Sequence, residues 1–145
     1  MTRIDFYELP DKDLDASLRF ACRLCLKALG NNMVVHVRVN DPEQAQAVDE
    51  LMWDYPKHRL VPHEIIQEDA TKQIASPVHI GWQAPRHDTG LLINLGNDIP
   101  NYFGRFDRVA EIIVDESKGL RREHYKFYRQ RGYPLHHHPL NDWDQ

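Results

Sequence analysis

The sequence predicts an α/β fold: one domain whose largely parallel sheet is flanked by helices, in a Rossmann-like order but without a nucleotide-binding loop. Two observations carry this. Short β-branched or alternating apolar runs take turns with segments whose apolar residues return every three or four positions. No internal repeat or low-complexity tract interrupts that alternation, and 145 residues suffice for one core without a disulfide or metal staple.

The elements follow in order. Ile4, Phe6, Tyr7 and Leu9 read as a first strand, stopped by Pro10-Asp11. Leu14, Leu18, Cys22, Cys25 and Leu29 line one face of a helix, which Asp11 or Asp13 can cap and Gly30-Asn31-Asn32 can end in a left-handed turn. Met33–Val39 is strand-like. Asp41-Pro42-Glu43-Gln44 combines a cap, a first-turn proline and a reach-back amide, and Ala45, Val48, Leu51 and Met52 carry the buried stripe behind it. Residues 55–77, with Pro56 and Pro62, are the least periodic and read as a long surface connection. Val78–Trp82, Leu91–Leu95 and Val109–Val114 are strands, and a helix runs from about Ser117 to Arg131. Residues 136–145 read as a solvated, flexible tail.

Composition narrows the function classes. Eighteen Lys+Arg against 22 Asp+Glu give a net charge of −4 in an ordinary globular mix. No apolar run approaches a membrane span, and charges break up the first residues, so neither an anchor nor a secretory signal is expected. With only two cysteines, a reducing cytoplasm is the expected setting.

Specific chemistries also find little support. The first strand–helix turn, Glu8-Leu9-Pro10-Asp11-Lys12-Asp13, has no glycine and three carboxylates, the reverse of a phosphate cradle. Cys22 and Cys25 have redox spacing but fall two turns into a helix, on its apolar stripe, where packing explains them better than thiolate chemistry. His136-His137-His138 alternate along an extended segment and lack further ligands at zinc spacing, so no metal is expected. His36 and His79 sit inside strands and read as core or edge residues. No cofactor is called for.

Charge distribution says more. Residues 118–131 hold six cations and one acid, whereas the remainder holds 12 cations and 21 acids. Lys118, Arg122, Tyr125 and Arg129 share one helix face. A cationic stripe with a ring at its middle suits an anionic ligand that also offers an apolar group; the plain alternative is a solvated helix. The acidic remainder would repel a long phosphate backbone, which favours a short anionic partner. A second surface is Leu51-Met52-Trp53-Asp54-Tyr55-Pro56 with Leu60-Val61-Pro62-His63. Here two readings stand: a roof over the core, or an apolar patch for a protein partner.

Several segments then meet a known family. Phe6-Tyr7, Asp49-Glu50-Leu51-Met52-Trp53, Val61-Pro62-His63, Pro77-Val78-His79-Ile80-Gly81-Trp82, and Glu123-His124-Tyr125-Lys126-Phe127-Tyr128-Arg129 with Gly132-Tyr133 occur in an order and spacing that resemble the chi subunit of bacterial DNA polymerase III holoenzyme. The resemblance implies a single-domain protein without catalysis of its own, associated with the replisome. It would pair with the psi subunit, reach the clamp loader through psi, and hold the acidic C-terminal tail of the single-stranded DNA-binding protein, contacting DNA only indirectly. The implied tail site is Lys118 and Arg122 for carboxylates and Tyr125 for the terminal ring. Arg129 extends the stripe, Gly132 and Leu135 complete the wall, and Ile113 is the floor. The implied psi surface is Trp53, Pro56, Leu60, Val61 and Pro62. Two rivals keep their own tests: a nucleotide-using enzyme on the same scaffold, and direct single-strand binding through the basic helix.

Overall fold

The computed structural model describes residues 1–67 and 73–144. Among these described residues, seven strands form one sheet in the order β3-β4-β2-β5-β6-β1-β7, and every paired neighbour runs parallel. The strands are β1 (Arg3–Glu8), β2 (Val35–Arg38), β3 (His63–Ile65), β4 (Val78–Gly81), β5 (Leu91–Asn94), β6 (Arg108–Ile113) and β7 (Leu135–Pro139). The helices are α1 (Leu14–Gly30), α2 (Pro42–Asp54) and α3 (Lys118–Gln130).

Strand order explains which helix covers which face. Parallel strands are joined by right-handed crossovers, so connections moving one way along the sheet lie on one face and those moving the other way lie on the opposite face. The β1–α1–β2 and β2–α2–β3 connections move toward the β3 edge, and α1 and α2 share one core with Val35, Val37, Ile93, Ala110 and Ile112. The remaining connections move back toward β7. Phe103 and Phe106 from the β5–β6 connection and Tyr128 from α3 therefore build a second core with Ile4, Phe6, Leu92 and Val109. Passing from β6 to β7, α3 must cross over β1.

Local chemistry sets the helix ends. Asp41 caps α2 by accepting from the Gln44 N–H at 2.8 Å, and Gln44 Oε1 accepts from the Asn40 N–H at 2.7 Å. Asn32 takes the left-handed turn after α1, at φ 59°. After α3 that role falls to Gly132 (φ 76°), where the Tyr133 N–H returns to the Tyr128 carbonyl at 3.2 Å.

Three expectations are corrected. The buried face of α1 is Ala16, Ser17, Phe20, Ala21, Cys22, Leu24, Cys25 and Ala28, while Leu14 is exposed and Leu18 and Leu29 lie at the margin. The 55–77 connection contains β3, and Val61 and Ile66 are buried beside it; residues 68–72 lie outside the described residues. Residues 135–139 are not a loose tail: they form β7, in register with Ile4–Glu8. Beyond β7, Trp143 packs on Phe20 at 5.3 Å and donates to Asp11 at 2.9 Å, while Asp144 meets Arg19, Arg23 and Tyr55. Residue 145 lies outside the described residues. Both unforeseen strands are sheet edges, where the inner/outer hydrophobic contrast that marks a strand is weakest. The cysteines are buried on α1, and burial pushes the Cys22 thiol up to about 12.

Candidate functional site

The inner face of α3 is polar yet buried. Arg121, His124 and Tyr128 recur at helical spacing and converge on Glu111 of β6, whose carboxylate is fully buried. Arg121 Nη1 donates to Glu111 Oε1 at 2.8 Å and to the Gly96 carbonyl at 3.1 Å. His124 Nδ1 lies 2.9 Å from the same carboxylate oxygen, and its Nε2 lies 3.1 Å from the Asn97 carbonyl oxygen. Tyr128 Oη and Asn94 Nδ2 donate to Glu111 Oε2 at 2.8 and 2.9 Å. Burial works to raise the Glu111 carboxyl, but the His124 hydrogen bond and the Arg121 charge outweigh it and hold it below the ordinary glutamate range. This network pins α3 to β5 and β6 at a fixed rotation.

That rotation turns the neighbouring helix face toward β1 and β7. Between them lies a groove of about 400 Å³, lined by Lys118, Arg121, Arg122, Tyr125, Lys126 and Arg129 of α3, Phe6 and Glu8 of β1, Ile113 of β6 and His137 of β7. Tyr125 is 37% exposed and meets the buried Phe6 ring edge-on, 5.3 Å between centroids. One face of Tyr125 is thus anchored while the rest remains available. Lys118 faces Asp115 at 3.7 Å and Lys126 faces Glu123 at 3.4 Å, both in solvent. Among the described residues, Arg122 and Arg129 have no ion pair or side-chain hydrogen bond, and both are exposed.

The structure therefore brings together Lys118, Arg122, Tyr125, Arg129 and Ile113 in one concavity. Gly132 and Leu135 do not line it. Gly132 makes the turn that ends α3, and Leu135 packs at the edge of the second core, so both set where β7 lies. Phe6, Glu8 and His137 escaped the sequence reading because sheet pairing, rather than spacing, delivers them. Arg121 belongs to the basic run by count, but its charge is spent inward on Glu111.

The second surface is less uniform. Trp53 is 62% exposed, Leu60 is 66% exposed, and Pro62 is also exposed. Val61 and Pro56 are buried, which corrects their placement on an open face; Val61 belongs to the α1/α2 core. His63 braces this corner, with Nε2 3.0 Å from Asp49 Oδ1 and Nδ1 2.6 Å from the Val61 carbonyl oxygen. The Trp53 ring lies 4.9 Å from the His63 ring. Residue by residue, the segment roofs the core with Val61 and Pro56 and leaves Trp53, Leu60 and Pro62 exposed as an apolar rim.

A nucleotide has no welcome at the first strand–helix turn. The Leu14 N–H there donates to the Glu116 carboxylate at 3.2 Å, and Asp15 follows in the first turn of α1. Among the described residues no group of three or more His, Cys, Asp or Glu side chains is arranged to hold a metal ion, and no helix is long and apolar enough to cross a membrane.

Comparison with known proteins identifies the family. The family described as "DNA polymerase III chi subunit, HolC" matches residues 1–136. The chain belongs to that chi family. The DNA polymerase III subunit chi of Pseudomonas aeruginosa is 38% identical over 143 residues, covering 97% of this chain and 98% of the relative. The chi subunit of Escherichia coli is 29% identical over 126 residues, 84% of each chain. That of Haemophilus influenzae is 28% identical over 134 residues, 90% of this chain and 92% of the relative. Chi membership places the chain in the DNA polymerase III complex and hence in DNA replication. The match ends at residue 136, so most of β7 and the Trp143–Asp144 segment extend past it.

Proposed function

We propose that this chi-family chain acts by binding alone: its α3 groove captures the acidic, aromatic-tipped C-terminal tail of single-stranded DNA-binding protein, and its Trp53–Leu60–Pro62 rim pairs with the psi subunit of the clamp loader. The observation that carries the tail reading is one ring between free cations. Tyr125 rests edge-on against Phe6 in a groove with Arg122 and Arg129, whose guanidinium groups have no ion pair among the described residues. Carboxylates of a short peptide would meet the guanidinium and ammonium groups, and a terminal ring would cover Tyr125, Phe6 and Ile113. Exposed ion pairs contribute about 0–1 kcal/mol each, so ring burial supplies much of the affinity and the charges supply orientation and encounter rate.

Fluorescence anisotropy with a labelled acidic peptide ending in Pro-Phe tests this. Arg122→Ala or Tyr125→Ala weakens binding at least several-fold, while the thermal midpoint stays close to wild type because both side chains are exposed. Added salt weakens the wild-type complex by screening the rim charges. Wild-type affinity in both variants overturns the tail reading. The psi reading has its own test: Trp53→Ala with Leu60→Ser abolishes co-purification with psi and leaves tail binding intact.

A further inference from the structure

The groove contains one acid that no ligand carboxylate would welcome. Glu8 lines it from β1, and His137 of β7 holds that carboxylate at 2.8 Å from Nε2. Both side chains are partly in solvent, 37% and 50% exposed, so a bound peptide can reach the pair. With a neutral imidazole, the pair presents one negative charge at the mouth of an otherwise cationic site. With imidazolium, it presents none.

We propose that His137 is a further binding determinant of this groove: by taking up a proton it cancels Glu8, so that capture of an acidic peptide is coupled to protonation of the Glu8–His137 pair. The inference rests on the acidic-peptide reading above. Histidine is the side chain whose ordinary titration falls between about pH 5 and 8, whereas peptide carboxylates stay ionised throughout that span. The other charged groups facing the pair are Lys118, Arg122, Lys126 and Arg129 on α3, the inward Arg121, and Asp115 and Glu123 at the rim. Two other histidines near the site lie elsewhere. His138 is on the opposite sheet face, stacked on Tyr7 and 2.8 Å from Asp5, and His124 is behind α3 on Glu111. His136, on the same strand, has its side chain on the His138 face.

The experiment measures affinity for the synthetic acidic peptide ending in Pro-Phe at about pH 6 and about pH 8, at fixed ionic strength. Removing one unit charge a few ångströms from the ligand, partly screened, predicts tightening of roughly three- to tenfold at the lower pH. Calorimetry in buffers of different ionisation enthalpy should show proton uptake on binding at the higher pH. His137→Gln keeps a donor to Glu8 and removes the titration, so its pH dependence disappears. Glu8→Gln binds more tightly than wild type at the higher pH, and whatever pH dependence remains in it comes from His137 alone. Both variants retain the His138–Asp5 contact and Leu135 packing that hold β7, and thermal melts verify this. Binding that is pH-independent in wild type, or a pH dependence that survives in His137→Gln, overturns this inference alone. No binding at either pH overturns the tail reading and this inference together.

Discussion

Two halves of one sheet face treat their buried polar groups in opposite ways. Over β5, β6 and β1, the fully buried Glu111 is bound by Arg121, His124, Tyr128 and Asn94. Over β2 and β4, His36 is equally buried, and neither of its ring nitrogens has a hydrogen-bond partner among the described residues. Its neighbours are rings: Tyr102 at 6.1 Å and Phe106 at 6.2 Å, while His79 on the adjacent strand stacks on His87 at 3.8 Å. The first half stabilises a charge and uses it to orient a helix. The second keeps its histidines uncharged: burial lowers His36 to about 3 and His79 to about 4. The binding groove belongs to the half whose buried carboxylate is paired, because a site of exposed cations needs a helix whose rotation is fixed.

The largest effect expected from this contrast is at Glu111. Replacing it with alanine leaves a buried guanidinium without its counter-charge and removes the acceptor for Tyr128 and Asn94. Breaking such a pair from one side costs about 3–5 kcal/mol. That is a large part of the roughly 5–15 kcal/mol by which domains of this kind are stable. Urea unfolding should show it, and peptide binding should fall with it because α3 loses its anchor. A Glu111→Ala protein with near-wild-type stability would mean that the network is decorative.

How much of this could be read from residues alone follows the same division. Helical spacing made Lys118, Arg122, Tyr125 and Arg129 legible as one face, because three- and four-residue steps fix where side chains point before any tertiary contact exists. The order of strands and helices was legible for a related reason: buried parallel strands are apolar on both faces and stand out. Phe6, Glu8 and His137 are different. They meet α3 only because β1 and β7 pair in a register that no local pattern encodes. Arg121 and Arg122 are adjacent and chemically alike, yet one is buried on Glu111 and the other is exposed in the groove; the 100° between successive helix positions decides it, and the sequence does not say which side the sheet lies on. Pro56 and Val61 mislead in the reverse direction, since turn-like neighbours suggested exposure for residues that the fold buries.

Acid should reveal the unpaired half next. His36 has a folded-state pKa below its ordinary value, so the unfolded chain binds a proton that the folded one refuses. Its contribution is fully present above about pH 6.5 and is lost progressively as pH falls toward about 3. His79 acts in the same direction down to about 4. Glu111 and Asp5, held below the ordinary carboxylate range, contribute stability that is lost only at lower pH, as acid overtakes their folded values. The loss between about pH 6.5 and 5 therefore carries the signature of the histidine half, about 1 kcal/mol from His36 alone by about pH 5.5. Chemical denaturation across that range measures it, and a flat profile would contradict the neutral, unpaired imidazole.

The smallest effect is the most discriminating. His36→Phe replaces a ring that accepts and donates nothing with one of similar shape that needs nothing, in surroundings already supplied by Tyr102 and Phe106. Near-isosteric changes in a core usually cost less than about 1.5 kcal/mol, and here the lost desolvation burden works in favour of the variant. The neutral-pH stability should thus change little, the acid slope should become shallower, and the affinity for the acidic peptide should not move because the groove lies on the other half of the face. A large loss at neutral pH would mean that the His36 nitrogens do have partners, such as ordered water, and that the two halves of the sheet are satisfied in the same way after all.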